Sequence, residues 1–323
     1  EVEATRVAPD LYVQTDGPET APEPSPLQQS GPVEAIVLDL PLLRGDEIPH
    51  APHIAAFAEP WSGAAVYTSV GGDDYRRALT LETPAIIGRT TTALPESAPS
   101  RWSQTSVDVK LSGGSLLSRN RLATLAGANV AALETAAGWE VIQFQTAILI
   151  APQTYRLSGL LRGQAGTDLL ITERPSGTRF VLINDAVRQL PITESERGLA
   201  RYIRIGTATQ PHDDETFRTS EKTFDGIGLR PYAPAHFRAE RSGDQVHLTW
   251  VRRTRLGGDG WQNEPPLSEE VERYLVTVEM DGETMLHETA SPFITLTAPN
   301  PIAATVAQVS THFGPGLSAS ITT

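Results

Sequence analysis

Residues 138–168 read GWEVIQFQTAILIAPQTYRLSGLLRGQAGTD. The stretch spells a strand, a tight turn at Ala151-Pro152-Gln153, a second strand and a glycine-punctuated exit. From Tyr155 the pattern has period two. Tyr155, Leu157, Gly159 and Leu161 share one face, and Arg156, Ser158 and Leu160 the other, as in a half-buried strand. Ahead of the turn, Ala147-Ile148-Leu149-Ile150 is an unbroken apolar run, which predicts a strand buried on both faces. Gly163 and Gly166 supply the freedom to leave the sheet. The segment is expected at the centre of a core and carries no obvious catalytic chemistry.

The same short-strand rhythm extends outward from it. The 25 prolines and 26 glycines, many near strand ends, favour short strands over long helices. Strands are expected at 34–43, 54–58, 64–70, 75–82, 105–111, 180–183 and 201–205. In the fifth of these Val107, Val109 and Leu111 face one way and Asp108 and Lys110 the other. A helical turn is expected at 119–126, and residues 211–222 (PHDDETFRTSEK) as a polar loop. Residues 17–32 hold five prolines and little to bury, so they read as an extended spacer after a short strand at 7–13.

From residue 235 onward seven short strands follow within about 90 residues, the pattern of an immunoglobulin-like β-sandwich. Trp250 and Tyr274 stand where an aromatic plug between two sheets belongs, and Ile302 occupies a core position where a tyrosine corner would be expected. The fold class is therefore all-β. The expected domains are 1–32, the end of an upstream region plus linker; 33–231, a β-rich domain with a possible internal break near 112–116; and 232–323, a sandwich similar to fibronectin type III.

Composition narrows function. At 323 residues the chain exceeds what one core serves, so several domains are expected. The net charge is −13, divided as −8 before residue 232 and −5 after it, so neither part has the basic footprint of a nucleic-acid binder. The same balance disfavours bulk electrostatic attraction to an anionic membrane. Without cysteine there are no disulfides, thiolate metal sites or cysteine nucleophiles. No apolar run approaches the roughly 20 residues of a membrane helix. The opening EVEATRVAPD lacks Met and signal-peptide features, and the chain reads as a piece of a longer protein.

Candidate chemistry is sparse. His50 and His53 with Asp46 and Glu47 suggest a metal, but Pro49 and Pro52 forbid the helix that would align them, so a solvated loop is expected. Residues 71–74 (GGDD) and 212–215 (HDDE) cluster acids without a calcium-loop spacing. Ser158 lacks a nucleophile elbow, and 257–260 (GGDG) lacks the lysine and context of a phosphate loop. Arg252, Arg253, Arg255 and Trp261 form a small basic-aromatic patch. Arg252 is expected to face solvent and the other two arginines to pair with Glu264, Glu269 or Glu270. No catalytic, cofactor-binding or metal residue is assigned.

The stretches GAN (127–129), EVIQF (140–144) and TYRLSGLLRGQAGTD (154–168) together resemble the LSGLLRGxxGTE signature of phage tail-tip proteins. The strongest similarity is to the large baseplate ("megatron") tail protein of gene transfer agents of alphaproteobacteria. Further matches follow in order: VEAIVLDLPLL from Val33, AIIGRTT from Ala85, FDGIGLRPYAPAHFRAER from Phe224, and LTWVRRTR with GDGWQNEPPLSEEVERYLV from Leu248. Asp168 replaces the commoner Glu. The resemblance implies a structural, non-enzymatic component of a virion-like tail tip. It would be made in the bacterial cytoplasm and released with the particle. Implied partners are two further copies in a homotrimer, other baseplate and tail proteins and the recipient envelope, with no nucleic acid. Two other readings stand beside it: a carbohydrate-binding module using Trp102, Trp139 or Trp261, and a cell-wall hydrolase with an unrecognised carboxylate pair.

Overall fold

The computed structural model describes residue 2 and residues 31–99, 101–258 and 264–323. The expected strand at 7–13, nearly all of the 17–32 spacer, and Trp261 lie outside the described residues. The chain is all-β. It opens with β1 (Glu34–Leu38), β2 (His53–Phe57), β3 (Ala64–Ser69) and β4 (Arg76–Leu81). Then come β5 (Ile87–Thr90), β6 (Trp102–Ser103), β7 (Val107–Leu111), the helical turn α1 (Arg121–Leu125), β8 (Val130–Thr135), β9 (Gly138–Ala151), β10 (Thr154–Gln164) and β11 (Arg179–Leu182). β12 (Arg188–Gln189), β13 (Arg201–Thr207) and β14 (Arg218–Lys222) complete this half. The loop expected at 211–222 therefore ends in a strand, which pairs with β13 at the sheet edge.

The middle strands close a barrel. The order β10-β7-β5-β11-β8-β9 returns to β10 through the β9–β10 hairpin, and every pairing is antiparallel. Alternation fills it. Val107, Val109 and Leu111, Ala131 and Leu133, Ile142 and Phe144, Tyr155, Leu157 and Leu160, and Phe180 form one interior cluster. The stretch 112–116 runs from β7 toward α1 within this barrel, with Gly113 against the Phe57 ring. Asn120 starts α1, its side-chain oxygen accepting from the Ala123 N–H at 2.8 Å.

The alternate residues of the barrel wall face outward onto a second layer. Ile87, Ala132, Trp139 and Val181 pack on Ile36, Leu38 and Ala55 of the β1-β2-β12 sheet. That sheet's other face, with Ile54 and Ala56, packs on Ala64, Val66, Ile203 and Ile205 of the β14-β13-β3-β4 sheet. The strand buried on both faces is thus β2, whose HIAAF sequence meets two layers at once with small residues. Residues 147–150, expected in that role, are not: Ile148, Leu149 and Ile150 are exposed. β9 outlasts its neighbour β8, which pairs with it only as far as Gln143, so nothing covers its last residues.

The β10 face assignment also needs correction. Tyr155 and Leu157 point inward as expected, but the next interior residue is Leu160, not Leu161. The change of phase falls at Gly159, where φ is +61° and the pairing with Gln145 is interrupted. Its partner strand changes phase at the same level, from Phe144 to Ala147. A side chain at Gly159 would meet the Gln145 Cβ at 2.9 Å, so the paired strands bend there only with glycine.

The last seven strands are β15 (Ala235–Ser242), β16 (Gln245–Val251), β17 (Tyr274–Met280), β18 (Glu283–Thr289), β19 (Phe293–Thr297), β20 (Ala303–Ser310) and β21 (Gly314–Thr322). They form two sheets, β15-β16-β19 and β18-β17-β20-β21, face to face. Between them Trp250 and Tyr274 meet edge-on with centroids 5.2 Å apart, and Ile302 is buried in the same cluster. The connection into this sandwich is held at both ends. Asp39, just past β1, accepts from the backbone N–H groups of Asp225, Gly226 and Ile227 at 2.8, 3.1 and 2.9 Å. Tyr232 lies on the barrel exit, where a side chain at Gly166 (φ +75°) would collide with its ring at 2.2 Å.

Candidate functional site

The barrel has one polar end and one apolar end, and strand parity creates both. On β9 the inward residues Ile142 and Phe144 put Glu140 on the interior side. On β10 inward Leu160 does the same for Arg162. Both side chains are fully buried. Glu140 accepts from Arg162 Nε, from Arg162 Nη2 at 2.8 Å, from the Gly163 N–H at 3.3 Å and from Arg174 Nη2 at 3.4 Å. Arg162 also donates to the carbonyls of Pro95 at 2.9 Å and Thr172 at 3.3 Å, and Arg174 to that of Leu170. One carboxylate thus serves two guanidinium groups. Burial pulls the Arg174 pKa down while the Glu140 charge opposes it. Every contact here ties one segment of the chain to another. Chemically the network is a lock that joins β9, β10 and the 170–174 segment.

Arg156 on the outer wall makes a second, half-exposed lock, donating twice to Asp108 at 2.8 Å each. The arginine contact holds the Asp108 carboxyl below its ordinary pKa.

The arginines of 252–255 do not form a free patch. Arg252 donates to Glu264 and Glu272 at 3.2 Å, so it is paired where a solvent-facing residue was expected. Arg253 turns away from its own sandwich and reaches Asp168 at the barrel exit, 2.9 Å away, with its guanidinium 5.3 Å from the Tyr232 ring centroid. Arg255 makes a bidentate pair with Glu269, both bonds 2.9 Å, and donates to the Gly228 carbonyl. The patch is a joint between sandwich and barrel. Burial against that joint pushes the Tyr232 hydroxyl up to about 12.

The two histidines part company. His50 Nε2 lies 3.0 Å from the Ile192 carbonyl. His53 sits on β2, buried, where a loop was expected. Desolvation lowers its pKa to about 4, opposed by Glu47. Glu47 itself accepts from the backbone N–H groups of Leu43, Arg44 and Gly45. Among the described residues no group of three or more His, Asp or Glu side chains could hold a metal ion, the 71–74 and 212–215 clusters included. Asp214 instead caps its own turn through Thr216, at 2.8 Å to the N–H and 2.6 Å to the hydroxyl.

His53 gives the fold an acid sensitivity. Between pH 6.5 and about 4 the unfolded chain binds a proton that the folded chain rejects, so stability falls with acid across that window. The full loss is about 3 kcal/mol, taking 1.36 kcal/mol per unit. Urea midpoints measured from pH 7 to pH 4 should fall less steeply for His53→Gln than for the unaltered chain. Equal slopes would refute the assignment.

Trp139 is buried against the middle sheet, and Arg121 lies over Trp102 at 5.1 Å from the ring. Trp139 presents no open stacking face, and Arg121 covers one face of the half-buried Trp102. A surface depression of about 690 Å³ is lined by Glu134 and Glu173 among others, and Arg179 donates to the Glu134 carboxylate at 3.1 Å. Ser158 lies within β10, opposite Thr146.

The other end of the barrel is apolar and open: Ile148, Leu149 and Ile150 lead into the turn at Pro152 and Gln153. Proline fixes φ at the first of these, and Gln153 has φ +53°, as in a type II turn. Sequence reasoning identified this apolar run but gave it the wrong environment. It missed Glu140, Arg162 and Arg174 as a set, although period two counted back from Phe144 would have turned Glu140 inward.

A family model described as Rcc01698-like, C-terminal matches residues 85–181. That span runs from just before β5 to the middle of β11, so it coincides with the barrel and contains both of its ends. No curated protein matches the chain.

Proposed function

We propose that this chain is a structural component of a phage-like, gene-transfer-agent tail tip or baseplate, acting in tail assembly and in contact with or penetration of the recipient cell envelope. The observation that carries this reading is the family match over 85–181, which falls on the segment whose LSGLLRG motif resembles tail-tip proteins. The geometry supports a structural part. Its strongest polar constellations, Glu140–Arg162–Arg174 and Arg253–Asp168, are spent on joining segments of the chain. In this reading the protein assembles with copies of itself as a trimer and with other baseplate proteins, and travels in the released particle.

The test is localisation. In a bacterium that makes such particles, an epitope tag after Thr323 should be found by immunogold labelling at the tail tip. Purified particles free of the chain would sink the proposal.

A further inference from the structure

Among the described residues, the barrel end formed by the β9–β10 turn holds the one run of three consecutive exposed large apolar residues. Ile148, Leu149 and Ile150 are 55%, 60% and 43% exposed, and Leu117 is 60% exposed. Leu117 belongs to the same surface. Its neighbour Ser118 bonds the backbone of Ala147 through its hydroxyl, at 3.0 Å to the N–H and 3.2 Å to the carbonyl. Next to it, Arg119 donates its N–H to the Gln145 carbonyl at 2.8 Å. Successive residues of a strand point to opposite faces, so this strand end is apolar on both sides. A flat protein partner covers one side of a strand. A surrounding apolar medium covers both.

The charge around this end is also distinct. The chain carries −13 overall, yet it has no Asp or Glu from residue 109 to 133 or from 141 to 167. Lys110, Arg119, Arg121 and Arg156 are exposed within or beside these stretches. Strand register brings two of them to the tip: Lys110 pairs with Thr154, the first residue after the turn, and Arg156 pairs with Ile148. The acid on this wall, Asp108, is committed to Arg156.

We propose that this hairpin end docks on an anionic lipid interface, with the aliphatic side chains at the boundary between headgroups and acyl chains and Lys110 and Arg119 on lipid phosphates. An apolar ridge with a cationic rim combines the two contributions that hold proteins at such interfaces. The depth is limited. The backbone of β9 beyond Ala147 has no strand on its outer edge, and its polar groups need water or headgroups. The inference deepens the envelope contact proposed above and rests on that reading for its biological setting. The surface chemistry stands without it.

Vesicle flotation tests it, using phosphatidylcholine vesicles with and without phosphatidylglycerol. The unaltered chain should float with the anionic vesicles and release as salt is raised. The exposed triple variant Ile148→Ser, Leu149→Ser, Ile150→Ser should lose at least roughly tenfold in partitioning. Lys110→Gln and Arg119→Gln together should remove the preference for phosphatidylglycerol. Thermal melts check that both variants fold. Failure of the unaltered chain to float overturns the inference without needing any variant, and so does equal binding by the serine variant. A doubling of mass that the serine substitutions abolish, without vesicle binding, would assign the surface to a second copy and also overturn it. Loss of vesicle binding with the chain still at the tail tip defeats this inference alone. Vesicle binding by a chain absent from particles defeats the tail-tip reading alone.

Discussion

Replacing Glu140 by glutamine should destabilise the barrel by about 3–5 kcal/mol, the cost of leaving buried charge without its partner. The substitution keeps the size of the side chain and removes only the charge. Arg162 and Arg174 then face each other in an interior that offers carbonyls but no anion. Arg162→Met should cost less, because Glu140 keeps Arg174 at 3.4 Å and the Gly163 N–H at 3.3 Å. The ordering is the sharp part of the expectation, and chemical denaturation followed by near-ultraviolet circular dichroism would read it. If Glu140→Gln is no worse than Arg162→Met, the carboxylate is not the centre of the network. Replacing all three residues with apolar ones of similar size should recover much of the loss, since a buried ion cluster holds little net advantage over packed hydrocarbon.

Trp250→Ala is expected to cost the C-terminal sandwich about 3–5 kcal/mol, the usual range for removing a large aromatic from a core. Trp250 meets Tyr274 edge-on and Phe237 at 6.0 Å in the same manner, so its loss opens a cavity between the two sheets. The barrel has its own core and should keep its structure. Hydrogen exchange by mass spectrometry should therefore show faster exchange in β16, β17 and β20, with the amides of β7–β10 little changed. Uniform acceleration across both parts would mean that they unfold as one cooperative unit.

Much of this architecture can be read from alternation alone. Val107, Val109 and Leu111 face the barrel core as their spacing requires, and seven strands follow residue 235 as expected. Barrel closure is less legible: the tight turn after β9 announces its hairpin with β10, but nothing local in β7 announces that it pairs with the other edge of β10. Two misreadings have physical causes. An apolar run reads as doubly buried because hydrophobicity does not say whether a neighbouring strand is long enough to cover it. The β10 face pattern failed at Gly159 because a left-handed residue shifts the phase without altering the sequence period. The candidate sites divide in the same way. Asp168 and Arg253, separated by 85 positions, meet only through the tertiary joint, and no spacing rule could have paired them.

The route of the chain through its layers has a mechanical consequence. The barrel strands lie between β4 and β12, while β1 to β4 and β12 to β14 pair with one another in the flanking sheets. Tension entering near Val33 and leaving near Arg230 is therefore carried across hydrogen bonds of those two sheets. The barrel hangs beside the line of force as a branch, attached by two covalent strands and a packed wall. A chain pulled between these two points can stretch at the sheets while both ends of the barrel keep their shape.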